Sequence, residues 1–411
     1  MCTVFKPVLG LLLLAVAAGV LITEFASGSM AAVGRRRSIA SRDSGRINTL
    51  QSALQDGTVQ IPFAPISGYL KGLLRALNVP IESQVAVFSR ASAQGDLVSP
   101  DNPRVIYFSD DVAVGWVRGS SVIEVAESDP DSGVVFYIVR QDEARPKFTR
   151  SDGCRSCHQS DRKLGVPGLL VLSTPQAYGS GANIIGAVTD HRTPFEQRWG
   201  GWYVTGRSSG WRHLGNRIGQ GWLLSLYDQF YDAGYLSQYS DAVALMVLEH
   251  QTHMTNLFTV LSRQFDNNER ASDIRRTVQE VVDYMLFIDE ARMPAPIIGT
   301  SGFEEYFSKL RLRDNHKRSL RKLDLKTRLF QYPCSYTIYS HAFEGLPHAA
   351  KDAVYGMLFQ VLSSTPLDAK YARLTSDNRR DVLEILTETK PEFAELAARA
   401  RNSGGNDARS Q

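Results

Sequence analysis

Cysteine is scarce in this chain, four residues among 411, and the scarcity excludes several chemistries at once. Beside Cys154 and Cys157 there is no second cysteine or histidine pair at zinc-ligand spacing, so a closed tetrahedral zinc site lacks half its ligands. Charge of one sign is also missing. The formal balance is +3, which predicts neither nucleic acid nor a membrane surface as partner. The longest apolar run, Val8 to Ile22, holds 15 residues and is short of the roughly 20 needed to span a bilayer. No internal repeat is visible, and no methionine stands between His158 and Met246.

Against that background one stretch stands out, Gly153-Cys154-Arg155-Ser156-Cys157-His158. Cys-x-x-Cys-His is the attachment pattern of a c-type haem. Cysteines at this spacing form thioethers to the two vinyl groups, and the histidine behind them is then held under the iron as its proximal ligand. A thioredoxin-type redox pair would need no such histidine. The expected cofactor is one covalently attached haem c, held by Cys154, Cys157 and His158, with His158 on the iron.

The amino terminus fits that chemistry. Lys6, the apolar run and the small residues Ala26-Ser27-Gly28 and Ser29-Met30-Ala31 have the layout of a secretory signal. An uncleaved inner-membrane anchor through residues 8–22 is the alternative, although Arg35-Arg36-Arg37 would then lie on the side the positive-inside rule disfavours. Haem attachment takes place outside the cytoplasm in bacteria, so the expected location is the periplasm. Cys2 leaves with a cleaved signal, and Cys334, among Phe330, Tyr332 and Tyr336, reads as a buried, inert thiol without a partner.

The expected organisation is a signal or anchor over 1–32, a linker over 33–60, a β-rich haem-binding region over 61–216, a helical region over 217–401 and a disordered tail over 402–411. A short helix is expected over Gly68–Leu77. Strands are expected at Val85–Phe88, Arg104–Phe108, Val112–Val117, Val122–Val125 and Val134–Val139, with turn signals spaced for an antiparallel meander. Residues 159–216 lack helical periodicity and are rich in Gly and aromatics, which predicts close backbone approaches. Helices are expected over Ser240–Phe265, Ala271–Ala291, Leu320–Phe330, His348–Ser363 and Asp377–Thr389. The fold class is therefore α+β, an antiparallel β-rich region leading into the attachment segment and then a mostly helical half, and not the small all-helical cytochrome c fold.

For the second axial ligand the expectation is His191, in Asp190-His191-Arg192, where Asp190 could orient the imidazole. His213, His250 and Met254 are the other candidates. Glu249 and His253, four apart on one helix, could begin a second metal site, but with two ligands they read better as core or solvated residues. Trp199 to Tyr203 read as core packing, with a role in electron exit as the alternative.

Pro103–Val117, the Cys-x-x-Cys-His run, Arg198–Gly206, Leu248–Gln251 and Leu329–Tyr336 together resemble a family of large exported bacterial proteins that carry a single c-type haem site. The resemblance covers most of the chain from Ile61 onward and implies haem binding at Cys154, Cys157 and His158, without a reaction or a distal ligand. The expected function is single-electron transfer to a periplasmic redox partner. The alternative is a peroxidase-like haem enzyme, or a gas or redox sensor with an open or displaceable sixth iron site, which would give the extra length a purpose. A third reading makes the helical half a partner-docking module.

Overall fold

The computed structural model describes residues 45–90, 94–154, 158–160, 164–174, 186–231, 233–310, 312–365 and 368–407. The signal or anchor, the linker up to residue 44, and the tail from 408 lie outside the described residues.

Alternating side chains build the centre of the molecule. Strands β1 (Val85–Val87), β2 (Arg104–Phe108), β3 (Val112–Trp116), β4 (Val122–Asp129), β5 (Gly133–Arg140) and β6 (Phe148–Arg150) follow one another as an antiparallel meander. Short strands β7 (Val171–Ser173) and β8 (Ala187–Thr189) pair with each other, and β9 (Trp202–Tyr203) joins the free edge of β1. On one sheet face Val105, Tyr107, Val114, Trp116, Val125 and Val139 meet helices α1 (Arg46–Gln55) and α2 (Leu70–Ala76). On the other, Val85, Val87, Phe108 and Trp202 join the main core. Period-2 alternation with apolar residues on both faces is what a sheet covered on both sides requires.

That second face is covered by α3 (Ala242–Asp266), buried on nearly all sides as expected for a helix apolar all round. Its start was legible as Ser240-Asp241: the Asp241 carboxylate accepts from Val243 N at 2.8 Å and Ala244 N at 3.1 Å, a capping arrangement. Asp241 also accepts from Thr300 N and Ser301 N, tying a distant loop to the helix start. Helices α4 (Ala271–Met285), α5 (Phe303–Lys309), α6 (His348–Ser363), α7 (Ser376–Thr389) and α8 (Pro391–Asp407) complete the helical half, α8 running on through 402–407 where a disordered tail was expected. The β-rich and helical regions share one core, and the chain from Gly45 onward is one compact unit.

Two expected helices are corrected. Over Leu320–Phe330 the chain doubles back instead: Asp324 N donates to Leu329 O (3.0 Å), Leu325 N to Arg328 O (2.9 Å), and Leu323 bridges Phe330. Asp324 accepts from Lys326 N and Thr327 Oγ1, and this local competition with helical bonds turns the chain. Helix α4 ends at Met285 rather than Ala291, because Phe287 takes a left-handed backbone (φ 57°) and lays its ring on those of His191 and His250.

Candidate functional site

The attachment segment follows β6. A single 3-10 turn, Asp152–Cys154, brings the half-buried Cys154 against Ala126, Val134 and Phe136, on the sheet face toward α3, and its Sγ lies 3.3 Å from Ser151 Oγ. His158 packs its ring 4.5 Å from that of Phe136. Its backbone carbonyl accepts from Gly168 N at 3.0 Å, and its Nδ1 lies 3.1 Å from Gly168 O. A carbonyl oxygen only accepts, so in that bond Nδ1 carries the proton and Nε2 keeps the lone pair. This is the arrangement that orients a metal-ligating histidine. Gly168 in turn sits so close to α3 that a Cβ there would lie 2.0 Å from Asn256 Oδ1, and Asn256 Nδ2 donates to Leu169 O at 2.9 Å. Cys157, with Arg155 and Ser156, lies outside the described residues.

Among the described residues, the His158 tautomer and the apolar side chains of Phe136, Val134 and Leu169 are compatible with a covalent haem. Inside the body, the space beside the segment is a cavity of about 20 Å³ between the sheet and α3, lined by Ala113, Ala126, Val134, Leu169 and Thr252. It has room for about one water, against roughly 300–1,000 Å³ for ligand pockets.

His191 lies elsewhere. It is 2% exposed, its Nδ1 is 2.8 Å from His250 Nδ1, and its ring stacks on Tyr284 at 4.1 Å. Its Nε2 is buried with no hydrogen-bond partner among the described residues. His250 spends its second nitrogen on Ser335 Oγ at 2.6 Å. Beside it Arg198 Nη1 donates to Glu249 Oε2 at 3.1 Å with both side chains buried, and Arg198 Nη2 donates to His191 O. Gln251 Nε2 donates to the carbonyls of Ser109 and Asp110, while Tyr336 Oη donates to Gln251 Oε1. Three consecutive buried polar residues of α3 thus each tie down a different distant segment. Chain position gave no hint of this hub, although its members lie in the stretches Leu248–Gln251, Arg198–Gly206 and Leu329–Tyr336 that stood out by motif.

The remaining candidates lie in surroundings of their own. Met254 is fully buried in the core, and His253 faces Arg192 and Asp190. His213 Nδ1 accepts from Gly215 N at 3.0 Å, which places its proton on Nε2, and its ring packs among Trp199, Trp211 and Trp222. Trp199, Trp202 and Tyr203 are core residues. At the Gly200 crossing a Cβ would lie 2.1 Å from Thr174 O, the close approach that the Gly-rich run required. Cys334 is fully buried, and burial pushes its thiol up to about 12.

Burial sets the electrostatics of the hub. It lowers His250 to about 3 and His253 to about 4, drives His191 well below its ordinary value, and lowers His213 to about 4. It raises Glu249 and Glu290 to about 7, with Arg198 drawing Glu249 partly back. For Asp190 burial acts upward too, but hydrogen bonding and charge from Arg192 outweigh it and the carboxyl ends below its usual value. These shifts set the pH dependence of stability. Between pH 6.5 and 4 the unfolded chain binds histidine protons that the fold refuses, so stability is lost on acidification at about 1.4 kcal/mol per pH unit per proton. From about pH 7 down to 4.5 the two glutamates act oppositely, because the fold takes up their protons first. The four histidines outweigh the two glutamates, so urea midpoints should fall from about pH 6 to 4.5 and about twice as steeply just below it. A midpoint unchanged down to pH 4 would show that the histidines are hydrated.

No protein-family model, no curated protein and no solved structure matches the chain.

Proposed function

We propose that the chain is an exported c-type cytochrome-like protein that holds one covalent haem through Cys154, Cys157 and His158 and passes single electrons to a periplasmic partner. The observation that carries this reading is the hydrogen bond between His158 Nδ1 and Gly168 O, 3.1 Å long, behind the second cysteine of the attachment motif. A bound c-type haem supplies a one-electron couple tuned by its axial ligands and its burial. The chain's own contribution is placement. Gly168, locked on α3 through Asn256, fixes the imidazole plane and leaves Nε2 as the basic nitrogen. Phe136 backs that ring and keeps water from it on one side.

The layout of residues 1–32 supports export, and a motif that can be loaded only outside the cytoplasm supports it independently. The test is the visible spectrum of the full chain, exported with haem-attachment machinery present, recorded oxidised and reduced. One covalent haem per chain, with sharp reduced bands and a one-electron redox titration, is the expected result. A chain that emerges folded but colourless would sink the proposal.

A further inference from the structure

One strongly biased stretch has no part in the haem reading. Leu312 to Arg328 holds seven basic and two acidic residues, a formal +5, whereas the whole chain balances at +3. The fold spends two of the seven internally. Arg318 is held by Asp314, Asp381 and Glu384, and the buried Arg321 by Asp110, with its plane over the rings of Phe307 and Tyr336. Arg328 is half-buried beside Asn378. Arg313, Lys317, Lys322 and Lys326 remain, all four exposed and pairing with no carboxylate among the described residues.

Two turns fix the backbone that carries them. In the first, Asp314 N donates to Arg318 O at 3.0 Å and Lys317 N, on a left-handed backbone (φ 63°), donates to Asp314 O at 2.9 Å. In the second, the doubled-back segment around Asp324, Gln331 N donates to Lys322 O and Ile297 N to Leu325 O. The positive charge is therefore held in place while the charged ends stay in water. An exposed aliphatic side chain lies beside it. Ile298, 58% exposed, follows the residue bonded to Leu325 and is the cross-strand partner of the exposed Arg207. The carboxylates at the rim are engaged, Asp324 by Lys326 N and Thr327 Oγ1, and Glu388 by Asn315 N.

We propose that this basic face lies on an anionic lipid surface, with Arg313, Lys317, Lys322 and Lys326 at the headgroups and Ile298 at the apolar boundary. The chemistry favours lipid over an acidic protein. Packed protein interfaces are depleted in lysine and enriched in arginine and aromatics, because an ammonium on a flexible stem is strongly hydrated. A membrane surface asks for no fixed geometry, and each basic side chain near it adds about fivefold in affinity. A second copy of the chain would set like charge against like.

The test is co-sedimentation of the full chain with vesicles of phosphatidylcholine, alone or mixed with phosphatidylglycerol, at low and at physiological salt. Capture should be stronger with phosphatidylglycerol and weaken with salt. Lys322→Gln with Lys326→Gln should weaken it about 25-fold, and Arg313→Gln with Lys317→Gln about as much. Ile298→Ser should weaken it at both salt concentrations. All five side chains are exposed, so the variants should keep the fold, which far-ultraviolet circular dichroism checks. Binding that neither double variant weakens belongs elsewhere on the chain and overturns the inference. So does a chain that no vesicle captures. A chain that polyglutamate retains and vesicles do not would overturn it too, in favour of an acidic protein.

Discussion

Glu249→Ala lowers stability by about 3–5 kcal/mol, because it leaves a buried guanidinium without its carboxylate. Arg198 is 2% exposed and cannot swing to water. Its Nε donates to Thr193 O at 2.7 Å, its Nη2 to His191 O at 2.9 Å, and its plane lies 4.1 Å over the Phe195 ring. Those bonds hold the charge in place when Glu249 is gone, so the whole desolvation cost falls on the fold. The pair itself contributes far less. Replacing both partners together, Arg198→Met with Glu249→Leu, should recover most of the loss, since two apolar side chains of similar volume carry no unpaired charge. Urea unfolding followed by circular dichroism, run as a double-mutant cycle, separates the two cases. A single Glu249→Ala cost below about 1 kcal/mol would mean that water reaches Arg198 and that the hub is not closed.

How legible this architecture was depends on how local each determinant is. The meander could be read because Val134 to Val139 and Val112 to Val117 are short, β-branched and bounded by turns, all within neighbouring residues. Helix α3 could be read from Asp241 and a long apolar period. Cys154 and His158 could be singled out because the motif is a five-residue pattern. The 320–330 segment misled because Leu320, Leu323 and Phe330 have helical spacing, while the deciding bonds come from Asp324 and the left-handed backbone of Leu325. The hub was not legible as a cluster, although stretches that hold its members stood out. Arg198 and Glu249 are far apart in sequence, as are His250 and Ser335, and only the completed fold brings them together. His191 drew attention because it follows the motif closely in sequence and stands beside Asp190, but in the fold Asp190 bonds Arg192 and the partner of His191 is a second histidine.

Removing both thiols, Cys154→Ala with Cys157→Ala, should abolish covalent haem completely while leaving the body folded. Neither half of that expectation follows from the motif alone. Loss of haem follows from the chemistry, because without sulfur there is nothing for the vinyl groups to add to, and His158 by itself holds a haem only by coordination. Survival of the fold follows from the structure. Cys154 lies at the edge of a small cluster and is half-buried, outside the large core that joins the sheet to α3. Truncating a half-exposed side chain should cost about 1 kcal/mol or less. Haem staining after denaturing electrophoresis reads the first half, and far-ultraviolet circular dichroism with a urea midpoint reads the second. Each single variant should keep stain through its remaining thioether, at reduced yield. Stain retained in the double variant would refute attachment at this motif. A collapsed double variant would instead mean that the attachment segment nucleates the face of the sheet it lies on, with Phe136 and His158 holding far more of the fold than their contacts suggest.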